Sequence, residues 1–131
     1  MPLNYVGIRV RSLERSLLFY KEGLGLVEIT RGSMSHGGVF VELEDPTTHQ
    51  RLELNWYPEG SAYDAPYLAG EGLDHLGFDV DDVEKTIGRL VSLGGKVAVK
   101  PWVERGDSGR YLIGFVEDPD GIWVEVAEHI G

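Results

Sequence analysis

Two glutamates, Glu53 in LEL and Glu125 in VEV, stand 72 residues apart in matching surroundings, and His75 opens the stretch HLGFDV. An imidazole and two carboxylates suit Zn²⁺, Ni²⁺, Co²⁺ or Fe²⁺ better than the softer, thiolate-seeking metals. The chain has no cysteine, so it has no disulfide and no thiolate nucleophile, and any metal must be held by His, Asp, Glu or Tyr.

Whether such residues meet depends on where they point. Alternate side chains of a strand share a face. In QRLELNWY, Arg51, Glu53, Asn55 and Tyr57 fall on one face and Leu52, Leu54 and Trp56 on the other. In IWVEVAE, Trp123, Glu125 and Ala127 oppose Ile122, Val124 and Val126. His75 shares a face with Gly77 and Asp79, and Tyr5 with Gly7 and Arg9. A half-exposed antiparallel sheet alternates in the same way with nothing bound to it, so spacing alone leaves both readings open.

The elements that must position these residues are set out by a repeat. Under a shift of 70, Leu3, Gly7, Val10, Glu14, Gly25 and Val27 fall on Leu73, Gly77, Val80, Glu84, Gly95 and Val97. Leu13, Leu17 and Tyr20 fall on Val83, Ile87 and Leu90, and Tyr5 falls on His75. Each half opens with strand alternation, YVGIRV or HLGFDV, then passes a helix-starting Ser12 or Asp81/Asp82 into an apolar helical stripe. Each helix is expected to stop at glycine, Gly23/Gly25 and Gly94/Gly95. Three strands then follow, near 26–31, 38–43 and 50–57 in the first half and near 96–100, 110–117 and 121–128 in the second. EDPTTHQ and EDPDG form the turns before the last strands. The Pro- and Gly-rich WYPEGSAYDAPYLAGEG joins the halves. The expectation is an α+β fold of two tandem βαβββ modules in one domain spanning 1–131: module 1 at about 3–57, a linker at about 58–72 and module 2 at about 73–128.

Composition narrows the function further. Apolar residues make up 42% of the chain, with no run near the ~20 residues of a membrane span. The N-terminus has no basic region followed by an apolar block, so no signal peptide is expected. A net charge of −10 argues against nucleic acid, whose phosphates would be repelled. A soluble cytoplasmic protein is the expectation.

The segments IRVRSLERSLLFYKEGLGL, RLELNWYPEG, DHLGFDVDDVE and GFVEDPDGIWVEV together resemble the vicinal-oxygen-chelate superfamily of glyoxalases, bleomycin-resistance proteins and extradiol dioxygenases. The likeness runs from about residue 3 to 128 and is closest to the glyoxalase I (lactoylglutathione lyase) branch. It implies that each module folds into a cupped mixed sheet with neighbouring first and last strands, the two modules enclosing a central cavity within one chain or across a homodimer. It further implies a single divalent metal, Ni²⁺ or Zn²⁺, with Co²⁺, Fe²⁺ or Mn²⁺ as alternatives, held by Glu53, His75 and Glu125. Tyr5 falls on the fourth ligand position, normally His or Gln in that branch. With an unperturbed pKa of about 10, its phenol is expected to stay neutral beside the metal and hydrogen-bond a water or a substrate oxygen.

Arg9 matches the arginine that holds a substrate carboxylate, Asn55 a thiol-cofactor contact, and Trp123 the aromatic two residues ahead of the last ligand. Arg110 is expected just ahead of the penultimate strand, in a basic loop that covers the substrate. The implied chemistry converts a hemithioacetal of methylglyoxal into a lactoyl thioester through a metal-stabilised enediolate, with Glu125 and Glu53 moving the proton. Two alternatives remain: a metal-free, bleomycin-resistance-like groove lined by aromatics, and an Fe²⁺ ring-cleaving dioxygenase. The dioxygenase needs a second histidine, for which His36 is the candidate.

Overall fold

In the computed structural model, residues 4–33, 35, 37–61, 73–106 and 109–131 are described. His36 and most of the expected linker lie outside the described residues. The chain divides into two units, 1–67 and 68–131, each built on a four-stranded mixed sheet.

In the first unit β1 (Val6–Arg9), α1 (Leu13–Leu17), β2 (Val27–Ser33), β3 (Val39–Glu44) and β4 (Arg51–Trp56) give the order β1-β4-β3-β2. In the second, β5 (Leu76–Asp79), α2 (Val83–Ser92), β6 (Lys96–Gly106), β7 (Gly109–Glu117) and β8 (Trp123–His129) give β5-β8-β7-β6. Both are βαβββ modules, as the repeat implied. The first strand of each lies parallel to the last, and the remaining pairings are antiparallel.

The alternation seen in the sequence is the burial pattern. Ile8, Val41, Leu43, Leu52 and Leu54 are buried on one face of the first sheet with Phe19 and Tyr20. Val116, Val124 and Val126 are buried on the second sheet with Val83, Ile87 and Leu90 of α2. Each side chain so buried contributes roughly 1.5–3 kcal/mol of transfer free energy. Gly114 of β7 lets α2 down onto its sheet, since a Cβ there would come within 2.7 Å of Ile87 Cδ1.

The helix starts are those expected. Ser12 Oγ accepts from Arg15 N–H at 3.2 Å, and Asp82 Oδ1 from Lys85 N–H at 2.9 Å. The helix ends correct the fixed shift of 70. After Leu17 the first helix widens into a π-helical stretch, Leu18–Gly23, whereas α2 stays α-helical. Gly25 (φ 77°) is left-handed in the first module and Gly94 (φ 103°), not Gly95, in the second. Leu26 N–H bonds Tyr20 O in one, and Gly95 N–H bonds Leu90 O in the other, so the first closure encloses one more residue. A single extra residue has been absorbed as a π turn. The strand pairing agrees: Val27 pairs with Glu44 and Lys96 with Glu117, which aligns Val27 with Lys96 rather than Val97.

The two acidic turns are built alike. Asp45 Oδ1 accepts the Thr47 and Thr48 N–H groups at 2.8 and 3.0 Å, and Asp118 Oδ1 those of Asp120 and Ile122, both at 2.8 Å. These backbone bonds, with Thr48 foremost, hold the Asp45 carboxyl below its ordinary pKa. Asp118 is 3% exposed, and its turn delivers β8 and hence Glu125. Asp118→Ala strips two enclosed N–H groups of their acceptor and is expected to cost about 2–4 kcal/mol. Asp118→Asn, which keeps an acceptor, should cost about half as much by urea unfolding.

Candidate functional site

In the second unit, β5 pairs with β8 so that Gly77 lies beside Glu125. Gly77 presents no side chain there; a Cβ would lie 4.0 Å from Glu125 Oε1. His75 stands just ahead of β5, its Nε2 3.5 Å from Glu125 Oε2. That gap is long for a hydrogen bond. It is close to the spacing of two donors on one ion, about 3.0–3.4 Å for bonds of ~2.1 Å. The other imidazole nitrogen, Nδ1, lies 2.6 Å from Asp74 Oδ2. A carboxylate only accepts, so this contact favours a proton on Nδ1, an arrangement that would leave the Nε2 lone pair toward Glu125. The pair could supply two of the three protein donors of a divalent-metal site.

An aromatic row runs on from His75. The imidazole meets Phe115 edge-on at 5.3 Å, Phe115 meets Trp123 at 5.5 Å, and Trp102 stacks on Phe115 at 5.9 Å with 13° between planes. Trp102 Nε1 donates to Glu104 Oε2 at 2.9 Å. Trp102 and Trp123 remain 36% and 40% exposed, enough open ring to receive a ligand.

The first unit repeats the frame with other groups. Gly7 pairs with Glu53 and Arg9 with Asn55. A Cβ on Gly7 would meet Asn55 Nδ2 at 3.2 Å and the Tyr5 ring at 3.9 Å, so glycine here makes room for two polar side chains. Arg9 lies over the Tyr57 ring at 5.5 Å. Glu42 stands directly across from Glu53, a like-charge pair that costs stability. Arg51 bonds Glu42 at 3.2 Å and Glu44 at 3.1 Å. The Glu44 carboxyl is lowered below its ordinary pKa by His49 and then Arg51, and Arg51 is raised in turn, chiefly by Glu44. No basic side chain among the described residues pairs with Glu53.

Of the expected residues, His75, Glu125 and Trp123 gather in the second unit, and Tyr5, Arg9, Glu53 and Asn55 share a face in the first. Among the described residues no three His, Asp or Glu side chains gather into a metal-holding group. Arg110 is corrected: it lies inside β7, paired with Arg105, and not ahead of the strand. Alternation along β7 turns it to the face opposite Phe115, because β7 runs against β8 without a register shift.

Asp74, Trp102 and Phe115 were not anticipated. An acid preceding a histidine was the available signal for Asp74. Phe115 follows from its pairing with Glu125. Trp102 was hidden by two register shifts in β6, after which Val99 and Trp102, three residues apart, pair with Phe115 and Ile113 on one face.

The comparisons with known proteins bear on the family and the fold. The Glyoxalase/Bleomycin resistance protein/Dioxygenase superfamily matches residues 3–126. A lactoylglutathione lyase of Neisseria meningitidis is 35% identical over 130 residues, covering 95% of this chain and 88% of that protein. A probable chloroplastic lactoylglutathione lyase of Arabidopsis thaliana is 32% identical over 95% of this chain, which spans only 35% of that longer protein. A glyoxalase family protein from Bacillus cereus has the same fold, with a TM-score of 0.76 at 21% identity, covering 98% of this chain and 94% of that one. With paired βαβββ modules, glycine-flanked glutamates in both and a family match over nearly its whole length, the chain belongs to the Glyoxalase/Bleomycin resistance protein/Dioxygenase superfamily.

Proposed function

We propose that this chain is a glyoxalase I-like, metal-dependent lyase that isomerises the hemithioacetal of methylglyoxal and a thiol to a lactoyl thioester. The observation that carries the reading is the His75 Nε2–Glu125 Oε2 pair, set at the spacing of two ligands on one ion. Relatives named lactoylglutathione lyase support the same chemistry. His75 and Glu125 supply two donors, and Glu53, the repeat counterpart of Glu125, supplies the third. Glu53 faces Glu42 with no basic partner among the described residues, a charge arrangement that a cation relieves. When bound, a divalent ion such as Ni²⁺ or Zn²⁺ supplies Lewis-acid stabilisation of negative charge developing on the substrate oxygens.

The proton transfer belongs to the protein. Glu125 takes the proton from the carbon bearing sulfur and hydroxyl, and Glu125 or Glu53 returns it to the neighbouring carbonyl carbon. The hydroxyl proton passes to the former carbonyl oxygen, so the product is an isomer and no redox partner is needed. A positioned base of this kind contributes ~10²–10⁴-fold. Tyr5 donates its hydroxyl to a substrate oxygen, while Arg9 and Asn55 hold the carboxylate end of the thiol. The apolar end of the aldehyde rests on Trp123, Phe115 and Trp102, where flat rings are partly uncovered. The reading includes a homodimer in the cytoplasm; no helix among the described residues is long and apolar enough to cross a membrane.

Three outcomes are expected. His75→Ala weakens nickel or zinc binding at least ~100-fold in calorimetry, since it removes a ligand and leaves the carboxylates without their imidazole partner. Unchanged affinity would remove this site from consideration. Glu125→Gln retains metal through its amide oxygen yet loses ~10²–10⁴-fold in kcat, because an amide cannot take a proton. A wild-type protein that consumes no hemithioacetal when loaded with nickel, cobalt or zinc would end the glyoxalase reading. Trp102→Ala should raise KM for the phenylglyoxal adduct several-fold more than for the methylglyoxal adduct, as about 1–3 kcal/mol of ring contact is lost only by the larger substrate.

A further inference from the structure

We propose that Asp74 is a positioning residue that sets the tautomer and orientation of the His75 imidazole. The inference rests on the metal reading above, because its purpose is to leave Nε2 free as a donor toward Glu125.

The geometry is specific. Asp74 Oδ2 lies 2.6 Å from His75 Nδ1, a close hydrogen-bond contact. Consecutive residues in a strand point to opposite faces and do not meet. Residues 73–75 precede β5 and lie outside its ladder, and there Asp74 meets its own neighbour. A carboxylate can only accept, and a neutral imidazole carries one proton, so the contact draws that proton to Nδ1. The lone pair is then at Nε2, the nitrogen 3.5 Å from Glu125. Phe115, nearly perpendicular to the imidazole at 89°, supports the ring from the side. Asp74 and Phe115 therefore hold the ring at two points while Nε2 is kept for a ligand-binding task.

Asp74 is not placed to hold the fold together. Its side chain is 96% exposed, where ion pairs add little stability. The repeat gives a comparison within the same chain. Asn4 and Tyr5 occupy the places of Asp74 and His75, so where the imidazole is replaced by a phenol the preceding carboxylate is replaced as well. Second partners of this kind orient a ligand and raise its basicity, and their loss costs ~10–100-fold in metal affinity.

The test uses the full chain, metal-free, labelled with ¹⁵N-histidine, at a pH about two units above the ordinary histidine value. Nitrogen shifts of His75 are expected to show the Nδ1–H tautomer in the wild type and a move toward Nε2–H in Asp74→Ala, with the unfolding midpoint unchanged. Calorimetry with zinc chloride alone should show affinity weakened ~10-fold or more in Asp74→Ala and within ~3-fold of wild type in Asp74→Asn, whose amide oxygen still accepts. The same His75 tautomer in wild type and Asp74→Ala would overturn the proposal. So would an Asp74→Asn as weak as Asp74→Ala, since charge and not positioning would then be at work. These failures are distinct from failure of the metal reading, which His75→Ala with undiminished zinc affinity would signal.

Discussion

The parallel pairing of first and last strands in each module is the constraint on which the rest depends. It sets Gly7 beside Glu53 and Gly77 beside Glu125, joining residues some fifty positions apart in sequence. Parallel neighbours cannot be joined by a tight turn and need a long crossover, which the helix and two intervening strands provide. In the second unit His75, Glu125, Trp123 and Phe115 sit on or next to that pairing. Remove it, and His75 and Glu125 have no reason to meet.

The helices enforce the pairing from one face only. Burial of Val83, Ile87 and Leu90 against Val116, Val124 and Val126 commits one side of the second sheet to apolar contact. The opposite side is left for Phe115, Trp123 and Glu125. The same division in the first unit leaves Glu42, Glu44, Arg51 and Glu53 together, three carboxylates with one guanidinium that bonds Glu42 and Glu44. A sheet face selected for stability alone would not place Glu42 across from Glu53. Arg51 offsets part of that repulsion through Glu42, while Glu53 has no basic partner among the described residues.

The two modules have diverged where function differs and kept what the fold needs. Both retain the capped helix start, the acidic turn and the glycine beside the last-strand glutamate. They differ in Tyr5 against His75, in Asn4 against Asp74, and in a helix widened by one residue. The π turn shows how such a change is tolerated: the extra residue is taken up within the helix, so Val27 still pairs with Glu44 as Lys96 pairs with Glu117. Divergence of this kind leaves one module with an imidazole and an aromatic row and the other with a phenol, an arginine and an amide.

Much of this was legible in the chain itself. A period of two identified the strands, a helical stripe the helices, and a self-match the two modules, because these are local or periodic properties of side-chain chemistry. The faces bearing Glu53, His75 and Glu125 followed from alternation, and the family from motifs spread over almost the whole sequence. Tertiary structure decided the rest. The bulges of β6 reset the alternation and brought Trp102 onto Phe115; Asp74 met His75 just ahead of β5; and an unshifted β7 turned Arg110 to the face opposite Phe115. Each of these depends on register or on departure from regular backbone, and the residues themselves do not encode register one at a time. It is set by the summed pairing and packing of whole strands, so only the folded sheet reveals it.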